Sequence, residues 1–374
     1  MAKYIYEHSN CTDFQWDDKA INAVFGEVRL IQGKILGRMS ALGFSAREEA
    51  SLTALTLDVV KSSEIEGESL DYEQVRSSIA RRLGINTAGL VKSNRHVEGI
   101  VEMMLDATQR YHLPLTHERL FGWHAALFPT GYSGPYKIEV GCYRTGEMQV
   151  VSGAMGKEKV HYEAIKPAYV QAEMDKFISW FNAETHLDLI IKAAIAHFWF
   201  IIIHPFDDGN GRIARAITDL LLARSESSVD RFYSMSGQIL EERKRYYEVL
   251  QKVQHSINDI TEWLHWFLLC LLNAMKATEN TTQKILKKAA FWKLHENTAI
   301  NERQRKILNM LLSDFEGKLQ TSKWAKINKT STDTALRDIK DLISKGILQQ
   351  TNEGGRNANY ALVDVTDSLS SQIE

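Results

Sequence analysis

The sequence predicts a mainly α-helical protein: a large helical core interrupted by one β-hairpin, then a smaller C-terminal domain of short helices and a second hairpin. Three observations predict it. Apolar residues recur at helical spacing along most of the chain, as one buried helix face requires. Only 5 of 374 residues are proline, so long helices run without the missing N–H and ring clash that break them. β-Branched residues flank a glycine-containing loop within residues 141–162, the pattern of a hairpin.

Taken in order, Tyr4-Ile5-Tyr6 and Phe14-Gln15-Trp16 open an N-terminal helical module of residues 1–45. Its helix is capped by Trp16-Asp17-Asp18 and runs to about Leu42, with Leu30, Ile31, Ile35 and Leu36 expected on one side. Residues 47–66 predict a second helix whose body is apolar at Leu52, Leu55, Leu57, Val59 and Val60. It ends in Ser62-Ser63-Glu64-Ile65-Glu66-Gly67, where Ser62 and Glu66 share a face and Gly67 is a natural stop. Gly141-Cys142-Tyr143-Arg144-Thr145-Gly146 leads into a strand at Met148–Val151, a glycine loop at Ser152–Gly156 and a strand at Lys159–Tyr162. Arg243–Leu250 predicts a helix carrying Tyr246 and Tyr247. The core is bounded at 46–280.

The polar stretch from Lys276 bends the chain or continues as helix. Residues 290–374 then form the smaller domain, with helices at Glu302–Leu312, Thr321–Ile327 and Ser331–Ser344. Gly354-Gly355-Arg356-Asn357 turns between two short strands, the second ending at Tyr360-Ala-Leu-Val. Two helices, a turn and a hairpin resemble a winged helix–turn–helix. Lys323, Lys326, Lys329, Arg337, Lys340 and Arg356 are candidate phosphate contacts there, with Thr330, Ser331, Thr332 and Thr334 near base edges. Residues 301–374 hold 11 Lys/Arg against 10 Asp/Glu. DNA binding through 301–374 therefore has no clear basic footprint behind it, and protein contact or packing is the stronger expectation.

The net charge of −2 gives no overall attraction for polyanions. Cysteines 11, 142 and 270 have no metal or redox spacing, which favours a reducing, cytoplasmic setting. No basic segment followed by an apolar one opens the chain, so no secretory signal is expected. The longest apolar runs, Ala193–Ile203 and Trp263–Met275, are too short or too polar to span a bilayer and read as buried helices.

The most informative segment is His204-Pro-Phe-Asp-Asp-Gly-Asn-Gly-Arg-Ile-Ala-Arg215. Gly209 and Gly211 tolerate positive φ and let N–H groups converge on an anion. A helix starting near Gly211 turns its positive end to the same spot. Arg212 and Arg215 sit one turn apart and can both fork onto phosphate oxygens. Asp208 is a hard oxygen ligand suited to Mg²⁺. His204 is the residue type that takes a proton near neutral pH. Together they predict a polyphosphate site with a base beside it.

This segment matches His-x-Phe-x-(Asp/Glu)-Gly-Asn-Gly-Arg-x-x-Arg at every fixed position and so resembles the Fic family. The resemblance implies a helical Fic core that transfers AMP from ATP to a Ser, Thr or Tyr hydroxyl. His204 would be the general base, Asp208 the Mg²⁺ ligand, and Phe206 a core anchor. Gly209, Gly211 and Asn210 would hold the α/β-phosphates, and Arg212 and Arg215 the β/γ end. Gly211, where kinase-like relatives carry Lys, favours adenylylation. The hairpin resembles the family's flap, whose edge pairs with a target segment. Tyr247 would stack on adenine.

Ser62-x-x-x-Glu66-Gly67 is similar to the family's inhibitory motif, (Ser/Thr)-x-x-x-Glu-(Gly/Asn), in the form carried on the same chain. A Glu66 carboxylate bidentate on Arg215 would exclude the γ-phosphate. Such a pair is worth roughly 1.5–3 kcal/mol, enough for ten- to a hundredfold suppression. Other readings stay open: Glu66 orienting water to remove AMP from a modified target, a DNA-binding regulator whose core senses nucleotide, or UTP or GTP as donor. Homo-oligomers and self-modification are compatible with the sequence.

Overall fold

The structure, a computed structural model, describes residues 3–8, 12–41, 43–85, 90–152, 159–312, 315, 317–351 and 358–363. It divides into two compact units, Met1–Glu279 and Asn280–Glu374. The first contains helices α1 (Asp18–Ser40), α2 (Phe44–Ile65), α3 (Tyr72–Leu83), α4 (Arg95–Gln109) and α5 (His117–Leu127). Two antiparallel hairpins follow, β1 (Tyr132–Ser133) with β2 (Tyr136–Lys137), and β3 (Gln149–Ser152) with β4 (Lys159–Glu163). Then come α6 (Pro167–Asn182), α7 (Leu189–Ile203), α8 (Asn210–Glu226), α9 (Met235–Glu241), α10 (Arg243–Gln254) and the start of α11 (Thr261–Leu294).

Local chemistry sets most helix starts. Side chains of Asp17, Asp71, Asn94, Thr116, Asp188 and Ser234 each accept from a first-turn N–H, satisfying a donor the helix leaves orphaned. Gly84, at φ +69, ends α3 in the left-handed region that a side chain resists.

The core is organised around α7. Of its residues, Ile190 to Ile203 are all buried, so it needs no polar face. α8 packs along it, Phe177 and Trp180 of α6 lie against its aromatic residues, and Trp263 of α11 donates from Nε1 to Ala194 O at 2.8 Å. Both long apolar runs are thus core helices, and no helix of the described residues is long and apolar enough to cross a membrane.

Two sequence expectations need correction. In α1 the buried stripe is Ile21, Val24, Val28, Ile31, Ile35 and Met39, spaced three and four apart, and Leu30 is 56% exposed. Leu30 precedes Ile31 by about 100° of helix rotation, so it cannot share that face. The second helix begins at Phe44, three residues earlier than expected, and Leu57 is exposed rather than part of its apolar body.

α2 is fastened by buried polar contacts. Asp58 Oδ1 accepts from Ser234 Oγ at 2.6 Å and from Ser236 N–H at 2.9 Å, and Arg231 N–H reaches Ser51 Oγ. Arg231 in turn pairs with Asp219 of α8 at 2.8 Å, both 3% exposed or less at the side chain. Glu226, its side chain 1% exposed, faces the same guanidinium at 3.4 Å, so two buried carboxylates hold Arg231.

The second unit contains α12 (Glu302–Leu311), α13 (Thr321–Asn328), α14 (Thr332–Ser344) and an antiparallel pair, β5 (Leu348–Gln350) and β6 (Tyr360–Leu362). Trp324, Ile339, Leu342, Leu348 and Tyr360 share its core with Ile307, Leu308 and Phe291. Asn301 and Gln304 form a reciprocal capping box on α12. The polar stretch from Lys276 continues as helix within α11. Lys326, Lys329, Arg337 and Lys340 are exposed, and Lys323 lies over the Phe315 ring. Arg356, the expected turn at 354–357, Cys11 and the hairpin loop 153–156 lie outside the described residues.

α4 and α5 meet so closely at Gly99 that a Cβ there would fall 1.8 Å from Ala126 O. Gly99→Ala should therefore destabilise the first unit by about 1–3 kcal/mol or more. Gly122→Ala, with nothing within 4 Å of its new methyl, should be neutral or stabilising by up to about 1 kcal/mol. Urea denaturation of the two variants checks the contrast.

Candidate active site

The site is the turn between the two central helices. α7 stops at His204, which adopts φ 50, ψ 59, a left-handed conformation uncommon for a residue with a side chain. Two residues on, Phe206 is fully buried and stacks on His124 at 4.3 Å between ring centroids. Asn210 closes the turn: its Oδ1 accepts from Phe206 N–H at 3.0 Å and its Nδ2 donates to Phe206 O at 2.8 Å. The Asn210 amide is thus committed to loop shape, a use its sequence reading as a phosphate holder did not include. Gly209, at φ +81, is the cap of α8, and a Cβ on it would fall 2.9 Å from Phe128. The N–H groups of Asn210, Gly211 and Arg212 precede the first intrahelical acceptor and form the positive end of α8.

His204 Nδ1 lies 3.2 Å from Ile201 O. A carbonyl only accepts, so Nδ1 carries the proton and Nε2 presents a lone pair. Burial lowers the His204 pKa to about 4, so the ring is neutral at pH 7. It can take a proton without first losing one.

Arg215 is 2% exposed. Its Nε donates to Ser62 Oγ at 2.8 Å, and its Nη2 to Ser62 O at 2.9 Å and to Glu66 Oε1 at 2.7 Å. The Glu66 contact is therefore single rather than the bidentate fork expected: Ser62 takes the Nε–Nη2 edge, and Glu66 reaches Nη2 alone and leaves Nη1 without a partner. Burial opposes the charge on Arg215, yet Glu66 beside it carries the pKa above its ordinary value. Gly67, at φ +85, turns the chain directly after Glu66. Gly211 is the seat of that carboxylate: a Cβ there would meet Glu66 Oε1 at 2.2 Å.

Arg212, 1% exposed, has a partner that the sequence reading missed. Its Nη1 donates to Glu68 Oε2 at 2.7 Å, and His96 Nε2 stands 3.3 Å from the same oxygen. The hydrogen bond from His96, then the Arg212 charge, hold the Glu68 carboxyl below the usual range against the effect of burial. The missed signal was arithmetic: two buried arginines on one helix call for two anions, and Glu68 is two residues from Glu66.

Two donors stay unsatisfied. Arg215 Nη1 and Arg212 Nε are buried and have no hydrogen-bond partner among the described residues. Buried donors of this kind are rare in a native protein unless a ligand completes them, and two cationic ones beside a helix N-terminus suit phosphate oxygens. Asp208 Oδ1 accepts from Gly209 N–H at 2.6 Å, Oδ2 faces the Ser133 hydroxyl of β1, and the side chain is 44% exposed. One accessible carboxylate beside a phosphate site fits Mg²⁺, which takes few protein ligands and fills its shell with phosphate and water. No cluster of three or more metal-binding side chains occurs among the described residues.

Tyr246 is buried, its hydroxyl 2.9 Å from His197 Nε2, while Tyr247 is 40% exposed with Arg243 over its ring. The hairpin follows the expected strands, with a register irregularity between Val150 and Val151. The sequence reading missed the short β1–β2 hairpin, whose strands are two residues long.

Residues 114–222 match the Fic/DOC family, and residues 4–85 match a domain of unknown function (DUF4172) that spans α1 to α3. The chain is 37% identical over 90 residues to protein adenylyltransferase fic-1 of Caenorhabditis elegans, 24% of this chain and 16% of that protein. It is 29% identical over 173 residues to the Caenorhabditis briggsae protein of the same name, 43% and 30% of the two chains. It is 23% identical over 254 residues to protein adenylyltransferase Fic of Nematostella vectensis, 64% and 51% of the two. The chain thus spans about half or less of these relatives. The structure of a Fic family protein from Desulfovibrio desulfuricans G20 superposes with a TM-score of 0.56 at 20% identity, over 92% of this chain and 96% of that one. This likeness establishes the fold.

Burial lowers the pKa of His197 to about 3 and of His124 to about 4, alongside His204 at about 4. The unfolded values lie near ~6.5, so between about pH 6.5 and 4 the unfolded chain binds more protons than the folded one. Stability from these rings is complete above that window and falls with pH through it. Thermal denaturation should give a Tm that drops from pH 7 to pH 5, and a flat Tm would contradict the burial of neutral rings.

Proposed function

The chain carries a domain of the Fic family, and from that premise we propose that it is a self-restrained protein adenylyltransferase, moving AMP from ATP to a Ser, Thr or Tyr hydroxyl. The observation that carries the reading is the pair of unsatisfied guanidinium donors on Arg212 and Arg215, beside the N-terminus of α8 and a neutral His204. His204 Nε2 takes the proton of the target hydroxyl, and its oxygen attacks the α-phosphorus. The bond from that phosphorus to the bridging β-oxygen breaks, pyrophosphate leaves, and AMP stays on the target as a phosphodiester. The N–H groups of Asn210, Gly211 and Arg212 hold the α/β-phosphates, and Arg212 and Arg215 stabilise the leaving end. Asp208 would hold Mg²⁺, which supplies charge neutralisation to the phosphates when bound. The open edges of β3 and β4 suit strand addition by an extended target segment. Main-chain pairing of this kind asks little of the target's sequence. Tyr247, 40% exposed and close to Glu66 and Arg215, would face the adenine.

Restraint comes from two carboxylates. Glu66 takes the Arg215 contact that a terminal phosphate needs, and its charge repels that phosphate. Glu68 does the same at Arg212. ATP bound under those conditions lacks its terminal anchors, and a misplaced α-phosphate reacts slowly.

Label transfer from α-phosphate-labelled ATP with Mg²⁺ tests this. Glu66→Gly should raise transfer about ten- to a hundredfold, and adding His204→Ala should abolish it. Adding Glu68→Gln to Glu66→Gly should give a further ~2- to 5-fold, the size of a half-exposed ion pair. No label from any variant, with ATP still bound, would overturn the reading.

A further inference from the structure

Arg144 is 2% exposed and forms no ion pair among the described residues. Every hydrogen bond of its side chain goes to a backbone carbonyl. Nε donates to His204 O at 2.7 Å, and Nη2 to Ile165 O at 2.5 Å and Ile203 O at 3.5 Å. Nη1 donates to Gly146 O at 2.8 Å, and the Arg144 N–H to Pro205 O at 2.9 Å. These acceptors fall into two groups. Ile203 is the last residue of α7, His204 its cap and Pro205 the residue after, so these carbonyls lie at the negative end of a buried helix. Gly146 and Ile165 bracket the β3–β4 hairpin, one before its first strand and one after its second.

A packing role alone does not need this chemistry. A buried guanidinium without a carboxylate is costly, and an apolar side chain would fill the space. What the fork achieves is to hold the carbonyls of Ile203 and His204, beside the main-chain bond to Pro205 O, around a residue whose left-handed φ of 50 the chain would otherwise relax. Tyr162 of β4 adds a second tie, its buried hydroxyl donating to Ile202 O at 2.7 Å.

We propose that Arg144, seconded by Tyr162, is a positioning residue that holds His204 in its reactive conformation and fixes the base at a set distance from the hairpin that presents the target. The proposal rests on His204 being the base and on the hairpin receiving the target. Arg144→Lys keeps the charge and removes the fork, so any effect reports geometry.

The test uses the full chain in the Glu66→Gly background, with and without Arg144→Lys or Tyr162→Phe. Arg144→Lys should lower kcat about a hundredfold, the effect of a displacement near 1 Å, while KM for ATP changes less than about twofold, the split expected when only transition-state alignment is lost. In isotope-labelled histidine spectra, assigned with His204→Ala, the His204 ring should shift and titrate nearer its ordinary ~6.5 with other histidines in place. Tyr162→Phe should move both readouts the same way by a smaller amount. Unchanged kcat with an unmoved His204 signal overturns the proposal, as does a loss that falls on KM alone. If Glu66→Gly transfers no AMP, the transferase reading fails and the His204 signal alone decides this one. If Arg144→Lys does not fold, Tyr162→Phe decides it, since that change removes a single oxygen.

Discussion

A guanidinium cannot shed its charge, and Arg215 is 2% exposed. Something must therefore bring acceptors to it, and the arrangement of α2 against α8 answers that need. The last turn of α2 presents both the hydroxyl and the carbonyl of Ser62, Glu66 follows as the helix cap, and Gly67 turns away at positive φ. Gly211 is bare where the Glu66 carboxylate sits. The same pocket of positive charge that forces α2 to supply anions is the one that a triphosphate would occupy. In the proposed function, restraint and catalysis would share one electrostatic demand, and either anion would exclude the other.

The opposite side of the turn is built to the same end by other means. α7 is buried on every face, and its C-terminal carbonyls meet a cation rather than water. Phe206 and Asn210 then pin the loop from below. His204 emerges with one ring nitrogen committed to Ile201 O and the other available. A flexible loop would hold the same residues but would not fix which nitrogen carries the proton.

Much of this was legible in the residues. The spacing of His204, Asp208, Gly209, Arg212 and Arg215 pointed to a phosphate site, because that combination has little structural use. Ser62 and Glu66 both meet Arg215, because a four-residue step places two side chains on one helix face, and Gly67 turns the chain after them. Other features depend on contacts across the fold. Glu68 reaches Arg212 across 144 positions of chain, and Arg144 reaches His204 across 60. Neither bears a local pattern. Leu30 misled because adjacent apolar residues in a helix point in different directions, and only the partner surface decides which one is covered. The role of Asn210 as a clamp on Phe206 was hidden for a similar reason: a side-chain amide suits a phosphate and a backbone equally well.

A crystal structure of the Glu66→Gly variant with a non-transferable ATP analogue and Mg²⁺ tests the central claim most directly. A terminal phosphate oxygen is expected within hydrogen-bond distance of the Arg215 guanidinium, in the place the Glu66 carboxylate held, with the α-phosphate facing His204 Nε2. Triphosphate density elsewhere, with Arg215 bound only to Ser62, would contradict it.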